Sequence, residues 1–224
     1  MPAIPRLLIA AHGTESGAGR ATTAALVRAI AAARPQLPVS LCFLDVAVPS
    51  LRTALDRLNE PVVLVPLLLS TGYHVLVDIP AVVAGRPNVR VARHLGPSPL
   101  VVDAVADRLA AVSKGGTAVS TVLVAVGSSR AEAAAELAAA AGLLGGRLGR
   151  PVLASTLGTD VRAELAPLPG PVEVATYLLA AGRFTDSLRA AASGLAVVSE
   201  PIGAHPALVR LVLERYDEAA GTAP

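Results

Sequence analysis

Residues 61–80 read "PVVLVPLLLSTGYHVLVDIP". An uncharged apolar run, 61–69, gives way abruptly to Ser70, Thr71, Tyr73 and His74. A strand with one wet face alternates polar and apolar residues, whereas a strand covered on both faces reads as a continuous apolar run. The stretch therefore predicts a buried strand of a parallel sheet whose carboxyl end carries a tyrosine and a histidine. Similar runs occur as "RLLIAA" (6–11), "PVSLCFLDV" (38–46) and "VRVARHL" (89–95). Separating or following them, "GRATTAALVRAIAAARP" (19–35), "PSLRTALDRLN" (49–59) and "PSPLVVDAVADRLAAV" (97–112) carry apolar residues at helical spacing, as in Leu51, Leu55 and Leu58. Strands and helices in alternation predict an α/β fold with a parallel sheet.

"SKGGTAVS" (113–120) interrupts the pattern with glycines and small polar residues, and then the plan returns. "TVLVAVGSSR" (121–130) echoes "RLLIAAHGTES", "VEVATYLLAAGRF" (172–184) echoes "VVLVPLLLSTGYH", and "VVSEPIGAHPALVRLVLERYDEA" (197–219) echoes residues 90–112. A repeat of roughly 110 residues is far longer than the ~20–50-residue units of solenoids. It predicts two similar lobes from an internal duplication: residues 1–113, a linker at 114–120, and residues 121–224. The copies differ at strand ends. Gly127 stands for His12, Phe184 for His74, and Asp45 falls near Gly158. The second half keeps the scaffold and loses the polar groups, which places the chemistry in the first half.

Composition excludes several classes. Hydrophobic residues make up 53% of the chain, with no tryptophan and only five Phe and Tyr, so an aromatic platform for stacking bases is not expected. The net charge of +2 and pI near 9.1 fit an anionic small molecule better than nucleic acid. Mean hydropathy is +0.60, yet the longest apolar window is broken by Pro66, Ser70, Thr71, Tyr73 and His74, short of the ~20 residues of a membrane span. The apolar stretch before His12 is too short for a signal-peptide core, so a soluble cytoplasmic protein is expected. Cys42 is the sole cysteine, which rules out an intramolecular disulfide and leaves no ligand set for an iron–sulfur cluster; it reads as a core residue.

Chemistry-bearing residues gather at the carboxyl ends of the first-half strands: His12, Asp45, Tyr73 and His74, then Arg93 and His94. In a doubly wound sheet these ends share one edge. Two imidazoles and a carboxylate suit a divalent metal with open positions, and neutral histidine also accepts protons near pH 7. Asp45 is either a ligand or the cap of a helix starting near Pro49 or Ser50. Arg93 and His94 also fit a solvated strand end, Tyr73 a wall, and His205 the start of a helix. "GTESGAGR" lacks the lysine–hydroxyl pair of a P-loop, so ATP is not indicated. "AHGT" is similar to the phosphohistidine signature of phosphoglycerate mutases, but Ala11 stands where that signature has arginine.

Together "LLIAAHGT", "FLDVAVPSL", "VVLVPLLLSTGYHVLVDIP" and "ARHLGPSPLVVDAVADRL" resemble the sirohydrochlorin chelatase family in its two-domain form. The resemblance implies two flavodoxin-like lobes facing a cleft, and ATP-independent insertion of Fe2+ or Co2+ into sirohydrochlorin for siroheme or cobalamin. It implies that His12 and His74 bind metal and remove pyrrole protons, with Asp45 where the family often has glutamate. A duplicated chain is then expected to act as a monomeric pseudo-dimer. Arg20, Arg93 and Arg130 are positioned in sequence to pair with the substrate's carboxylates, beside Tyr73 and His94. Two other readings stay open: a non-enzymatic tetrapyrrole or metal carrier, and a phosphohydrolase or mutase using His12 as nucleophile.

Overall fold

A computed structural model describes residues 4–113 and 120–221. Apart from Ser120, the expected linker lies outside the described residues. The first half holds β1 (Arg6–Ala11), α1 (Gly17–Ala33), β2 (Val39–Phe43), α2 (Leu51–Leu55), β3 (Val62–Leu67), α3 (Ile79–Val83), β4 (Val89–Val91) and α4 (Pro99–Ala110). The second holds β5 (Ser120–Ala125), α5 (Ala131–Leu148), β6 (Leu153–Thr156), α6 (Val161–Leu165), β7 (Val172–Thr176), α7 (Arg183–Ala192), β8 (Ala196–Val198) and α8 (Pro206–Ala220). Two four-stranded parallel sheets result, ordered β2-β1-β3-β4 and β6-β5-β7-β8. The α/β fold and its duplication are as the sequence predicts.

Every residue of β3 is buried, which is why it reads as one apolar run. Pro66 sits in this strand without breaking the ladder. Val62 N–H donates to the Asn88 carbonyl and the Leu64 carbonyl accepts from Ala92, so even-numbered residues of β3 face β4. Pro66 faces the same way, but β4 ends at Val91, opposite Leu64. The donor that proline lacks has no ladder partner to lose.

By packing, the chain divides differently from the repeat. One compact unit comprises 1–95 with 204–224 and the other 96–203. The helix after the fourth strand thus serves the other half's sheet: α8 packs on β3, β4 and α1, while α4 packs on β7 and α5. The two helices start alike, with Ser98 and His205 as N-caps and Pro99 and Pro206 following. In the first unit, Leu8, Leu64, Leu51, Leu55 and Ile79 form one cluster, and Arg34 clamps Asp217 of α8 through bonds of 2.6 and 2.8 Å. Cys42 lies in that cluster and donates to the Ile9 carbonyl, and burial pushes its thiol up to about 12. Among the described residues no helix is long and apolar enough to cross a membrane.

Leu208 of α8 is fully buried in this arrangement. Leu208→Ala is expected to destabilise the protein by ~2–5 kcal/mol, the range for removing a buried leucine side chain. Urea unfolding of the variant checks this, and a loss below ~1 kcal/mol would mean that α8 is not a core element.

Candidate active site

In the first sheet the chain runs from β1 outward to β2 and then returns to the opposite side of β1 to form β3. The order therefore reverses between β1 and β3, where open α/β sheets leave a crevice at the strand carboxyl ends. His12 is the residue after β1, and His74 follows β3 by a short loop. Their rings lie 4.9 Å apart between centroids and almost perpendicular, at 84°.

Each ring has its Nδ1 engaged by an acceptor. His12 Nδ1 lies 3.3 Å from the Gly13 carbonyl, and His74 Nδ1 lies 2.5 Å from Asp78 Oδ2. A carbonyl and a carboxylate only accept, so both Nδ1 atoms carry the proton in the neutral rings. Both Nε2 lone pairs are then available as metal donors or proton acceptors.

The segment that carries His74 differs from the strand end expected of it. Residues His74–Asp78 form a π-helical turn, closed by the Ile79 N–H on the His74 carbonyl, and α3 continues from it. Such turns concentrate at functional sites. Asp78 was not among the residues singled out from sequence. Its spacing four after His74 was the available signal, hidden because "GYHVLVDIP" was not read as helical.

Asp45 lies beside His12 through the backbone: its N–H donates to the His12 carbonyl at 2.9 Å. Its Oδ1 accepts from Val46 N–H at 2.7 Å. It does not cap α2, where Ser50 takes the Thr53 N–H instead. Val46 is β-branched, exposed and at φ 63°, a left-handed conformation that costs of order 1–3 kcal/mol. Gly13, at φ 101°, passes so close to the Asp45 carbonyl that a Cβ there would sit 2.0 Å from its oxygen. Among the described residues no three His, Cys, Asp or Glu side chains group as a metal cluster, so the geometry offers a histidine pair rather than a triad with Asp45.

The remaining candidates are placed as follows. Tyr73 is 60% exposed, its ring 6.5 Å from that of His74. Arg20 donates to the carbonyls of Thr14 and Glu15 in the loop after His12. Arg93 and His94 lie beyond β4 rather than at its end. Arg93 bonds Glu218, which also holds Arg215. Burial works against the Glu218 charge, but the two guanidiniums outweigh it and hold that carboxyl below its usual range. His94 Nε2 meets Thr71 Oγ1 at 3.1 Å, and its carbonyl accepts from Arg215. Arg130 is the N-cap residue of α5. His205 is the N-cap of α8, its ring nitrogen accepting from Ala207 N–H, as expected of a helix start.

The register corrects one sister position. Arg6 pairs with Val62 where Ser120 pairs with Val172, so Ala11 matches Ala125 and His12 matches Val126. Gly127 matches Gly13, and the two share φ near 100°, at 98° and 101°. His74 matches Phe184, as read from sequence. The second lobe thus presents an exposed valine and phenylalanine where the first presents imidazoles. A surface concavity between α1 and α8, lined by Ala29, Ala33, Arg34, Val209, Leu213 and Asp217, contains none of the candidates.

A family model described as CbiX matches residues 6–112. SirB from Bacillus subtilis with Fe3+ is similar at TM-score 0.80 and 23% identity, over 98% of this chain and 96% of that one. The sirohydrochlorin chelatase SirB from Bacillus subtilis subspecies spizizenii, in complex with cobalt, is similar at 0.80 and 21%, over 99% and 96%. CbiX, the terminal enzyme of siroheme biosynthesis in denitrifying bacteria, gives 0.70 and 23%, over 96% and 99%. At these identities the likeness is one of fold, across both halves of the chain. No curated protein matches the sequence.

Proposed function

We propose that this chain, whose residues 6–112 match the CbiX family model, is a sirohydrochlorin metallochelatase, inserting Fe2+ or Co2+ into the macrocycle without ATP in siroheme or cobalamin biosynthesis. The observation that carries this reading is the His12–His74 pair at the point where strand order reverses, with both Nδ1 atoms engaged and the rings 4.9 Å apart.

The reaction needs two things from the protein. Two macrocycle N–H protons must leave as the metal's bonds to the ring nitrogens form, and the metal must give up water and then be released to the substrate. Imidazole Nε2 suits both tasks: it is a donor for Fe2+ and Co2+, and it accepts a proton near neutral pH. A pair of donors also fits a metal that is delivered. A closed cage of four protein ligands, as in structural sites, would retain it. Asp45, whose N–H is bonded to the His12 carbonyl, is proposed as a further donor that would join the pair by turning its carboxylate from the Val46 N–H.

The substrate is a flat polycarboxylate. Tyr73, exposed beside His74, is proposed as a wall for the macrocycle, with Arg20, Arg93 and His94 as polar contacts. Arg93 is proposed to reach a substrate carboxylate by exchanging its bond to Glu218, since its planar fork suits either carboxylate. The same chain supplies both lobes and is proposed to work as a monomer.

Turnover separates this reading from a carrier. Protein at a small fraction of the sirohydrochlorin concentration, given Co2+ or Fe2+ and no nucleotide, is expected to convert many equivalents above the uncatalysed rate, followed by the absorbance change of metallation. Conversion that stops at one equivalent per protein would make the chain a carrier.

A further inference from the structure

We propose that Asp78 is a positioning residue for His74: it fixes the imidazole in the Nδ1–H tautomer and aims Nε2 at the metal. The role of His74 as a donor rests on the function proposed above; the hydrogen bond itself does not.

Three observations carry the assignment. His74 Nδ1 and Asp78 Oδ2 are 2.5 Å apart, within hydrogen-bonding distance, and a carboxylate can only accept. The backbone supports it, because a turn closed by an i→i+5 bond has more than four residues per revolution, so residues four apart stand nearly above one another. The competing structural role, a helix cap, is absent. α3 continues the π-helical turn, with the Ile79 N–H already on the His74 carbonyl and Pro80 lacking an N–H, so the Asp78 carboxylate has no first-turn donor to cap there and bonds His74 instead.

The remaining surroundings of the ring define its direction. His12 meets it edge-on at 4.9 Å, and Tyr73 lies at 6.5 Å and 69°. With Nδ1 held by Asp78, the lone pair of Nε2 is the only one the neutral ring can offer. A carboxylate behind a metal-binding histidine typically accounts for ~10–100-fold in metal affinity, by fixing tautomer and ring orientation.

The side chain is one-third exposed, so its replacement leaves no buried void. Long-range 1H–15N correlation spectra of the metal-free protein at mildly alkaline pH read the tautomer of each histidine directly. Wild type is expected to show His74 as Nδ1–H. Asp78→Ala is expected to shift His74 toward a mixture of tautomers, to weaken Co2+ binding by ~10–100-fold in an absorbance titration, and to raise the metal KM more than it lowers kcat. Asp78→Asn keeps the shape with a weaker, neutral acceptor, so its effects are expected to fall between the two. An Nε2–H tautomer in wild type, or a His74 spectrum that Asp78→Ala and Asp78→Asn leave unchanged, overturns the proposal. His74→Ala separates the two layers. If it binds Co2+ like wild type, His74 is no metal donor, and the metal-aiming role of Asp78 falls with that reading even where the tautomer shift is seen. If it loses Co2+ while Asp78→Ala keeps both tautomer and affinity, only the Asp78 assignment fails.

Discussion

Replacing His74 by alanine is expected to slow metallation of sirohydrochlorin by roughly 10²–10⁴-fold, the contribution of one positioned proton-transfer group, and to weaken Co2+ binding as well. The side chain lies on a surface turn and is 22% exposed, so the fold should survive its loss. Circular dichroism and the unfolding midpoint should stay near wild type while the rate collapses. His12→Ala is expected to behave in the same way, because in both rings Nδ1 is engaged and Nε2 keeps its lone pair. The sister positions supply the internal control. Val126→Ala and Phe184→Leu alter the corresponding strand ends of the second lobe, where no imidazole stands, and should leave proton transfer intact. His205→Ala removes the N-cap of α8, and its cost is one of stability, about 0.5–2 kcal/mol.

Gly13→Ala is expected to cost both stability and activity, through a different physical route. At φ 101° an L-residue is strained, of order 1–3 kcal/mol, and the new methyl would sit 2.0 Å from the Asp45 carbonyl oxygen. That obstacle is backbone, so no side-chain rotation relieves it. The loop from Asp45 to Ala47 must move, and the hydrogen bond between Asp45 N–H and the His12 carbonyl moves with it. Unfolding in urea should show a loss of several kcal/mol, in the tail reserved for strain and steric conflict. The protein that remains folded should turn over at least tenfold more slowly, since misplacing a catalytic group by ~1 Å is costly. Gly127→Ala tests the reasoning. It shares the positive φ, at 98°, but the nearest obstacle to its Cβ is the Thr156 side chain, at 3.0 Å, rather than backbone. A smaller loss of stability and unchanged turnover per folded molecule are expected there. Equal effects from the two glycines would mean that the close approach of Asp45 to Gly13 has no special role.

How much of this was legible beforehand depends on what each residue's environment imprints on the chain. β1 and β3 were readable because burial on both faces of a parallel sheet demands an unbroken apolar run. His12 and His74 stood out because each follows an apolar run and is missing from the second copy, and the structure brings their rings together. The sister of His12 was misjudged by one residue. "AAHGT" and "AVGSS" align by eye on either side of the glycine, and strand register alone fixes which neighbour matches. The exchange of α4 and α8 left no trace in the sequence. Both helices have the same Pro-led start and similar apolar faces, and periodicity tells which face is buried without telling which sheet covers it. Asp78 escaped because a π-helical turn has no simple sequence signature, so nothing in "HVLVD" marks residues 74 and 78 as sharing a face. Asp45 was seen as ligand or helix cap, and neither accounts for its bond to Val46.

The central claim is that the two histidines are the working groups of an ATP-independent chelatase. The most direct measurement is the initial rate of cobalt insertion into sirohydrochlorin, read by absorbance without nucleotide, for wild type and for the His12→Ala, His74→Ala double variant. The expected result is multiple turnover by wild type and a rate for the folded double variant indistinguishable from the protein-free reaction. Full activity in that double variant would contradict the account and put the chemistry elsewhere in the chain.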